Sequence, residues 1–389
     1  MHDTNLGNRH FDTLIIGAGS MGMAAGYYLS RLGNKVLMLD AGDPPHDQGA
    51  HHGGTRLIRH AYGEGAAYVP LALRAQRLWE DLEQQKQRNP QTALFMRTGV
   101  VNIGSPDDPF LREVQSSAAR HGIPLETLGA SEASKRWPAW RLRADQIANF
   151  EPGAGVLYCE RAVAAYRQLA TALGATLCTN TRVARIDCRG RESVTVWTQK
   201  NEKFTARDLI VCAGKSTRPL LAPLGLDVPV TRVRKTFAWF EAAPGLFAPE
   251  RFPGFFVASE VGGYYGFPDL DGSGLKLGRH DMGEPVCVDA PLAPFGAEPG
   301  DLGDLQAFLQ RYLPGAGKLR VGRACEYDMT PDTHFIIDRM PACPNVHLAT
   351  GFSGHGFKFA SAIGEALAER ITQGESRIDL AMFACNRCA

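Results

Sequence analysis

Neither sign of charge is in excess in this chain: 42 Lys and Arg stand against 41 Asp and Glu, a formal net charge of +1. A nucleic-acid binder needs a basic surplus, so that class is set aside. Long apolar runs are also missing. No stretch reaches the roughly 18 to 20 residues of a membrane span. The apolar run after Arg9 and His10 imitates a secretory signal, but Asp12 stands at its start and the glycine spacing that follows explains it better. The last residues, Asn386 to Ala389, match no targeting address, so a soluble cytoplasmic protein, away from membranes, is expected. Repeats, low-complexity tracts and clean linkers are absent, and 389 residues suffice for one to three domains. The nine cysteines are scattered and odd in number, which argues against a disulfide framework and for a reducing compartment. Cys385 and Cys388 supply only half a zinc site, so a frayed tail and no metal are expected there.

What is present begins near the start, at Thr13-Leu-Ile-Ile-Gly17-Ala-Gly19-Ser-Met-Gly22. This reads as a buried strand, a G-x-G-x-x-G turn, and a helix from about Ser20 to Leu32. A second apolar run, Lys35 to Asp40, ends in an acid 18 residues after the third glycine. The context makes this the dinucleotide fingerprint rather than a chance glycine turn. Gly17 makes the tight turn, Gly19 lets a pyrophosphate approach, and Gly22 lets helix and strand pack closely. The helix N-terminus faces the phosphates, and Asp40 accepts from a ribose.

Downstream, Gly42 to Gly63 is dense in Gly, His and Arg, the composition of a functional loop. Arg56 and Arg59 are three apart, on one face of any helical turn. They either clamp an anion or form a solvated basic turn. Residues 66–88 read as an amphipathic helix ended by Asn89-Pro90. Ala93 to Gly104 reads as a hairpin or strand pair, followed by a helix near 109–121 and a loop holding Trp137 and Trp140. A helix at 160–173, short strands around 176–187 and 193–199, and a buried strand from Ala206 to Gly214 come next. Asn345 to Gly356 repeats the strand-to-glycine pattern before a helix at 357–373. Late glycine turns of this kind suit FAD better than NAD. The fold expected is α/β: a Rossmann-like FAD domain of the glutathione reductase type with an inserted β-rich (α+β) substrate domain. We assign 1–85, 151–224 and 321–389 to the FAD domain, and 86–150 and 225–320 to the substrate domain.

Several longer strings, in order, carry a resemblance. They are Ile15 to Ser20, His51 to Gly65, Tyr264 to Pro268, Leu275 to His280, Ala324 to Asp332, and Gly351 to Phe359. Through them the chain resembles the monomeric sarcosine oxidase family of flavoprotein amine oxidases over nearly its whole length. The resemblance implies FAD joined by a thioether to Cys325, whose thiolate basic neighbours would favour. It places His52 and Gly354 toward the cofactor. It implies that Arg59 and Lys358 hold a substrate carboxylate, with Tyr327 beside them. Arg56, Tyr265 and His280 fall at catalytic positions, and Lys276 at the position that serves molecular oxygen. The implied reaction oxidises an N-methyl amino acid to an imine, which water cleaves to formaldehyde and the free amino acid, while oxygen becomes hydrogen peroxide. Val233 to Phe240 and Phe335 to Asp338 look closest to members acting on N-methyl-L-tryptophan. Sarcosine and pipecolate oxidases, an amine dehydrogenase with another acceptor, and a flavin sensor without turnover remain alternatives. A monomer is expected. Gly54 stands where the family often carries Asp, a change expected to loosen the turn that aims Arg56 and Arg59.

Overall fold

The computed structural model describes residues 10–85, 93–189, 192–243 and 245–388. At the centre of an eight-stranded sheet lies His10–Ile16, flanked in parallel by Val36–Leu39 and Lys203–Val211. Leu14, Ile15 and Ile16 are buried, as a strand covered on both faces requires. Cys343–Thr350 and Thr176–Cys178 extend the sheet in parallel on either side, and Val183–Asp187, Val194–Thr198 and Ile336–Met340 add antiparallel strands. The helices Ser20–Arg31 and Ala360–Gln373 cross in close contact. A Cβ on Gly364 would lie 2.6 Å from that of Ala24, so a larger residue would push them apart. The signal-like apolar run is therefore the central strand. Among the described residues no helix is long and apolar enough to cross a membrane.

A second sheet of nine strands gathers Val100–Gly104, Glu126–Gly129 and Ile147–Glu151 with strands from Thr231–Ala242 onward. Its longest pairing joins Thr231–Ala242 to Ala316–Met329, the strand that carries Cys325 and Tyr327. The boundary expected at 320/321 falls inside that strand. The helix Gly300–Tyr312 covers this sheet through Phe308, which stacks on Tyr264 at 4.5 Å.

The structure revises several local expectations. Ala93–Gly104 is not a hairpin: Phe95–Met96 pairs with Gly155–Tyr158, and Val100–Gly104 joins the nine-stranded sheet. Trp137 and Trp140 do lie in a loop, and both are buried in the core; the Trp140 ring lies 4.9 Å edge-on to Phe255. The helix of 66–88 is a short 3-10 turn, Ala66–Tyr68, followed by Val69–Gln85; Asn89-Pro90 lies outside the described residues. The strand expected over 176–187 is two strands with different partners. One disulfide, Cys188–Cys343, is present among the described residues, a single bridge rather than a framework, between residues 155 apart in sequence that the fold brings side by side. The C-terminal turn is docked, not frayed: the Cys385 N–H donates to Asp338 at 2.8 Å and Arg387 pairs with Asp332.

Candidate active site

The fingerprint glycines open onto a cavity of about 520 Å³. Gly17 has φ +90°, and a Cβ there would lie 2.3 Å from the Cys212 carbonyl oxygen, so only glycine makes this turn. A Cβ on Gly22 would lie 1.9 Å from the Gly17 oxygen, so Gly22 serves packing rather than lining the cavity. Gly19 lines it directly. Asp40 accepts from Gly42 N–H and from His46 through Oδ1, and from Ala18 N–H through Oδ2. Burial works against its charge, but His46 and these backbone donors hold its carboxyl below the usual range. Oδ2 takes a single bond and keeps acceptor capacity for a ribose hydroxyl.

Among the described residues, three buried polar atoms belonging to this cavity's wall have no hydrogen-bond partner: His52 Nδ1, Thr350 Oγ1 and Asp328 Oδ1. Buried polar groups are normally paired. An elongated ligand rich in hydroxyl and phosphate groups satisfies such a wall, and FAD fits the residues present. Asp328 had not been singled out from the sequence. Burial and the neighbouring Glu326 carboxylate push its pKa up to about 7.

Arg56, Tyr327, Gly354 and Phe357 are shared with a second, smaller cavity of about 60 Å³. Arg59, Tyr265, His280 and Lys358 line it too. Of the expected site residues, Gly22, Lys276 and Cys325 line neither cavity.

Arg56 and Arg59 do not share a helical face. Thr55–Ile58 is a strand paired to Gly155–Tyr158, and Arg59 follows its end. The Arg56 guanidinium donates to the carbonyls of Thr55, Ala50 and His52, at 2.8, 2.9 and 3.0 Å, and so braces its own loop. Arg59 forms a two-pronged ion pair with Glu64, at 2.9 and 2.7 Å, and lies 4.7 Å from the Tyr62 ring. Despite its burial, Glu64 is held well below the usual carboxylate range, with Arg59 the main counter-effect. Glu64 is the residue that sequence reading passed over. Its signal was its place five residues after Arg59 in the same glycine-rich loop.

Lys358 donates to the His355 carbonyl at 2.7 Å and the Tyr62 hydroxyl at 3.1 Å. The Tyr62 hydroxyl meets His355 Nδ1 at 2.8 Å, and His355 Nε2 faces the Thr333 carbonyl at 3.1 Å. That carbonyl can only accept, so Nε2 carries the proton and Nδ1 accepts from Tyr62. Burial pushes His355 down to about 3, consistent with this neutral ring. Burial and the charge of Arg59 lower Lys358 to about 7. Burial also brings His280 to about 4, so its imidazole is neutral, and it raises the Tyr265 and Tyr327 phenols above their ordinary value.

Behind the loop, Lys276 is 2% exposed and donates to Gly53 O at 2.6 Å, Thr55 Oγ1 at 3.2 Å and Thr55 O at 3.3 Å. The rings of Phe237, Phe267 and Trp239 surround its ammonium at 4.7, 4.8 and 5.3 Å. Burial, reinforced by Arg56, lowers it to about 7. Cys325 sits in an apolar cluster with Phe237 and Tyr327. Its thiol is pushed up to about 11: burial outweighs the pull of Arg56, Lys276 and Lys235, which reverses the expected depression.

Gly54 does not leave the arginine loop slack. The Glu160 carboxylate accepts from the Gly53 and Gly54 N–H groups at 2.8 and 3.0 Å. Gly54 has φ +85°, which any side chain, Asp included, would adopt only with strain.

Residues 12–370 match the family described as FAD dependent oxidoreductase. The chain belongs to this family. It is 45% identical over 383 residues to the monomeric sarcosine oxidase of Bacillus sp. (strain B-0618), covering 98% of this chain and 97% of that protein. It is 43% identical over 378 residues to the N-methyl-L-tryptophan oxidase of Escherichia coli O157:H7, covering 97% and 99%. Among solved structures, NikD, an unusual amino acid oxidase, matches with a TM-score of 0.84 at 21% identity, covering 97% of this chain and 98% of that one. Glycine oxidase from Geobacillus kaustophilus matches at 0.80 and 20%, covering 98% and 99%; both likenesses show the shared fold. This oxidase is thus a flavoprotein acting on the CH–NH group of amines, within the monomeric sarcosine oxidase family.

Proposed function

We propose that this oxidase demethylates a small N-methyl α-amino acid, passing the electrons to oxygen and releasing formaldehyde, the amino acid and hydrogen peroxide. The observation that carries the reading is the second cavity, where Arg59 and Lys358 approach from one side and neutral His280, Tyr265 and Tyr327 complete the wall beside the cofactor cavity. FAD, once bound, supplies the two-electron acceptor. We assign it a thioether to Cys325, with Gly17, Gly19, Asp40, His52 and Gly354 as its non-covalent contacts.

The chain's own groups then act on the substrate. Arg59 exchanges Glu64 for the substrate carboxylate, or shares itself between them. Lys358 becomes fully charged as that carboxylate arrives, taking up a proton above pH 7. The same cations disfavour a charged amine, which keeps the nitrogen lone pair free for oxidation. Phe256, Phe267 and Phe357 restrict water. Between pH 7 and 9, the affinity of a simple carboxylic acid inhibitor is expected to fall as pH rises, because Lys358 must be protonated to pair with it. Spectral titrations of the bound flavin measure this, and a flat profile that Lys358→Met leaves unchanged removes Lys358 from the clamp.

Size supports a small substrate over a bulky one. A cavity of about 60 Å³ holds roughly four to six water-sized groups. Sarcosine fits that room, whereas the indole of N-methyl-L-tryptophan, favoured by sequence resemblance, overfills it unless the walls move. The expected order of kcat/KM is sarcosine first, then L-pipecolate, then N-methyl-L-tryptophan, measured side by side by peroxide release. A tenfold preference for the tryptophan derivative, about 1.4 kcal/mol in transition-state binding, restores the bulky substrate. Turnover with a dye but not with oxygen would make the enzyme a dehydrogenase.

A further inference from the structure

Lys235 has no part in the reaction described so far, yet it sits in the middle of the face that carries the site. On the strand Thr231–Ala242 it stands directly opposite Cys325 in register, with Val233 opposite Tyr327 two residues away. On the other side, Phe237 pairs with Gly278, so the chain leading to His280 runs past Lys235. Lys235 is 6% exposed. Its ammonium donates to three successive carbonyls: His280 at 2.8 Å, Asp281 at 2.9 Å, and Met282. It also lies 5.1 Å from the centre of the Tyr327 ring.

Three consecutive carbonyls converge on one point only where the backbone reverses sharply. Met282 has φ +62° and Gly283 φ +115°, and that pair makes the reversal. A non-glycine residue in the left-handed region is unfavourable unless its surroundings fix it. Met282 is 71% exposed, so packing of its side chain does not hold it there. The His280 N–H bond to the Gly263 carbonyl and the Gly263 N–H bond to Asp281 tie the outer edge of this segment, and the ammonium is the one donor shared by all three inward-facing carbonyls. The first of these belongs to His280, whose ring forms part of the small cavity and lies 5.8 Å from that of Tyr327. Among the described residues no side-chain hydrogen bond fixes the His280 ring; it packs edge-on to Phe256 at 6.0 Å, and its aim otherwise follows the backbone that Lys235 helps to hold. The other titratable groups near the ammonium are Asp281 and Arg279 beside the reversal and the Cys325 thiol across the strands.

We infer that Lys235 is a positioning residue of the substrate site: its ammonium clasps the His280–Met282 reversal and thereby sets His280 against Tyr327 on the wall that faces the substrate amine. The inference rests on the reading of the small cavity as the substrate site. The cation is placed to act through geometry, and it lines neither cavity.

A double-mutant cycle on the FAD-loaded enzyme tests it, with Lys235→Met, His280→Ala and the pair, each assayed with sarcosine. If Lys235 acts through His280, Lys235→Met raises KM about tenfold and lowers kcat by less than threefold. The double variant then matches His280→Ala alone within about twofold, since residues acting as one unit are not additive. Lys235→Met also weakens the flavin spectral change caused by a simple carboxylic acid inhibitor, compared with wild type at matched flavin content. An unchanged KM, or losses that multiply across the cycle, overturns the inference. If Lys235→Met does not fold, Lys235→Gln, which keeps a neutral donor, goes through the same cycle and is read by the same criteria. Absence of turnover by wild type with every N-methyl amino acid defeats the substrate reading instead, and the inhibitor titration still reports on Lys235.

Discussion

Replacing Lys276 by Met is expected to slow reoxidation of the reduced enzyme by oxygen about 100- to 1,000-fold, the range for loss of one preorganised charge at a reacting centre. Reduction by substrate should fall less than tenfold. The reason lies in how Lys276 is held. All its donors point to Gly53 O, Thr55 O and Thr55 Oγ1, so it offers oxygen a charge and not a proton. Superoxide formation places negative charge in a site from which water is excluded, where a fixed cation has its greatest effect. Met fills the same aromatic surround without charge. The pKa of about 7 adds a second test. The protonated form carries the effect, so wild-type reoxidation should be fastest below pH 7 and decline as pH rises through it, and the variant should show no such decline. Stopped-flow traces of the two half-reactions decide the matter. Equal losses in both, or a pH decline that survives in Lys276→Met, would rule out the oxygen role.

Acid precipitation of wild-type enzyme should carry the yellow colour down with the protein, and Cys325→Ala should leave all of it in the supernatant. Cys212 also lines the cofactor cavity, at the turn that Gly17 makes, but among the free cysteines of the described residues Cys325 alone stands on the strand with Tyr327, the residue shared by both cavities. The thiol at about 11 makes a further point. Only the thiolate attacks an electrophilic carbon, and well below its pKa the thiolate fraction rises about tenfold per pH unit. Attachment after mixing apoprotein with FAD should therefore accelerate from pH 7 to 9. Lys276→Met, which removes one of the cations that lower this thiol, should slow it. Acid-released flavin, measured over time by fluorescence, follows the reaction. FAD recovered in the supernatant from fully matured wild type would sink the covalent assignment.

The cofactor half of the site was legible because its signals are local. Gly17, Gly19, Gly22 and Asp40 lie within one strand-turn-helix-strand unit, where spacing along the chain is spacing in space. The later strands before Gly214 and Gly351 showed the same local pattern, and both lie in the sheet next to the first strand or one strand away. The substrate half was legible only as a set of strings. Resemblance named Arg59, Lys358, Tyr265, His280 and Tyr327, but nothing in their spacing said that they meet. Glu64 was missed for a related reason: an acid near an arginine in a loop is common, and only the fold shows that it occupies Arg59 in a buried place.

By itself, then, the sequence determined the dinucleotide turn, the α/β architecture with a β-rich second part, and the family of the enzyme. The first two follow from periodicities and glycine positions that act over a few residues, and the family from the resemblance of several ordered strings. The tertiary structure alone decided the charge states and the room. Burial brings Lys276 and Lys358 to about 7 and the Cys325 thiol to about 11, against what their immediate neighbours in sequence suggest. Desolvation depends on how much protein surrounds a group, and that protein comes from segments far apart in the chain. The same holds for the small cavity. Its walls come from the loop after Thr55–Ile58, from strands of the second sheet, and from the turn before Ala360–Gln373, so its volume exists only once those segments have packed together.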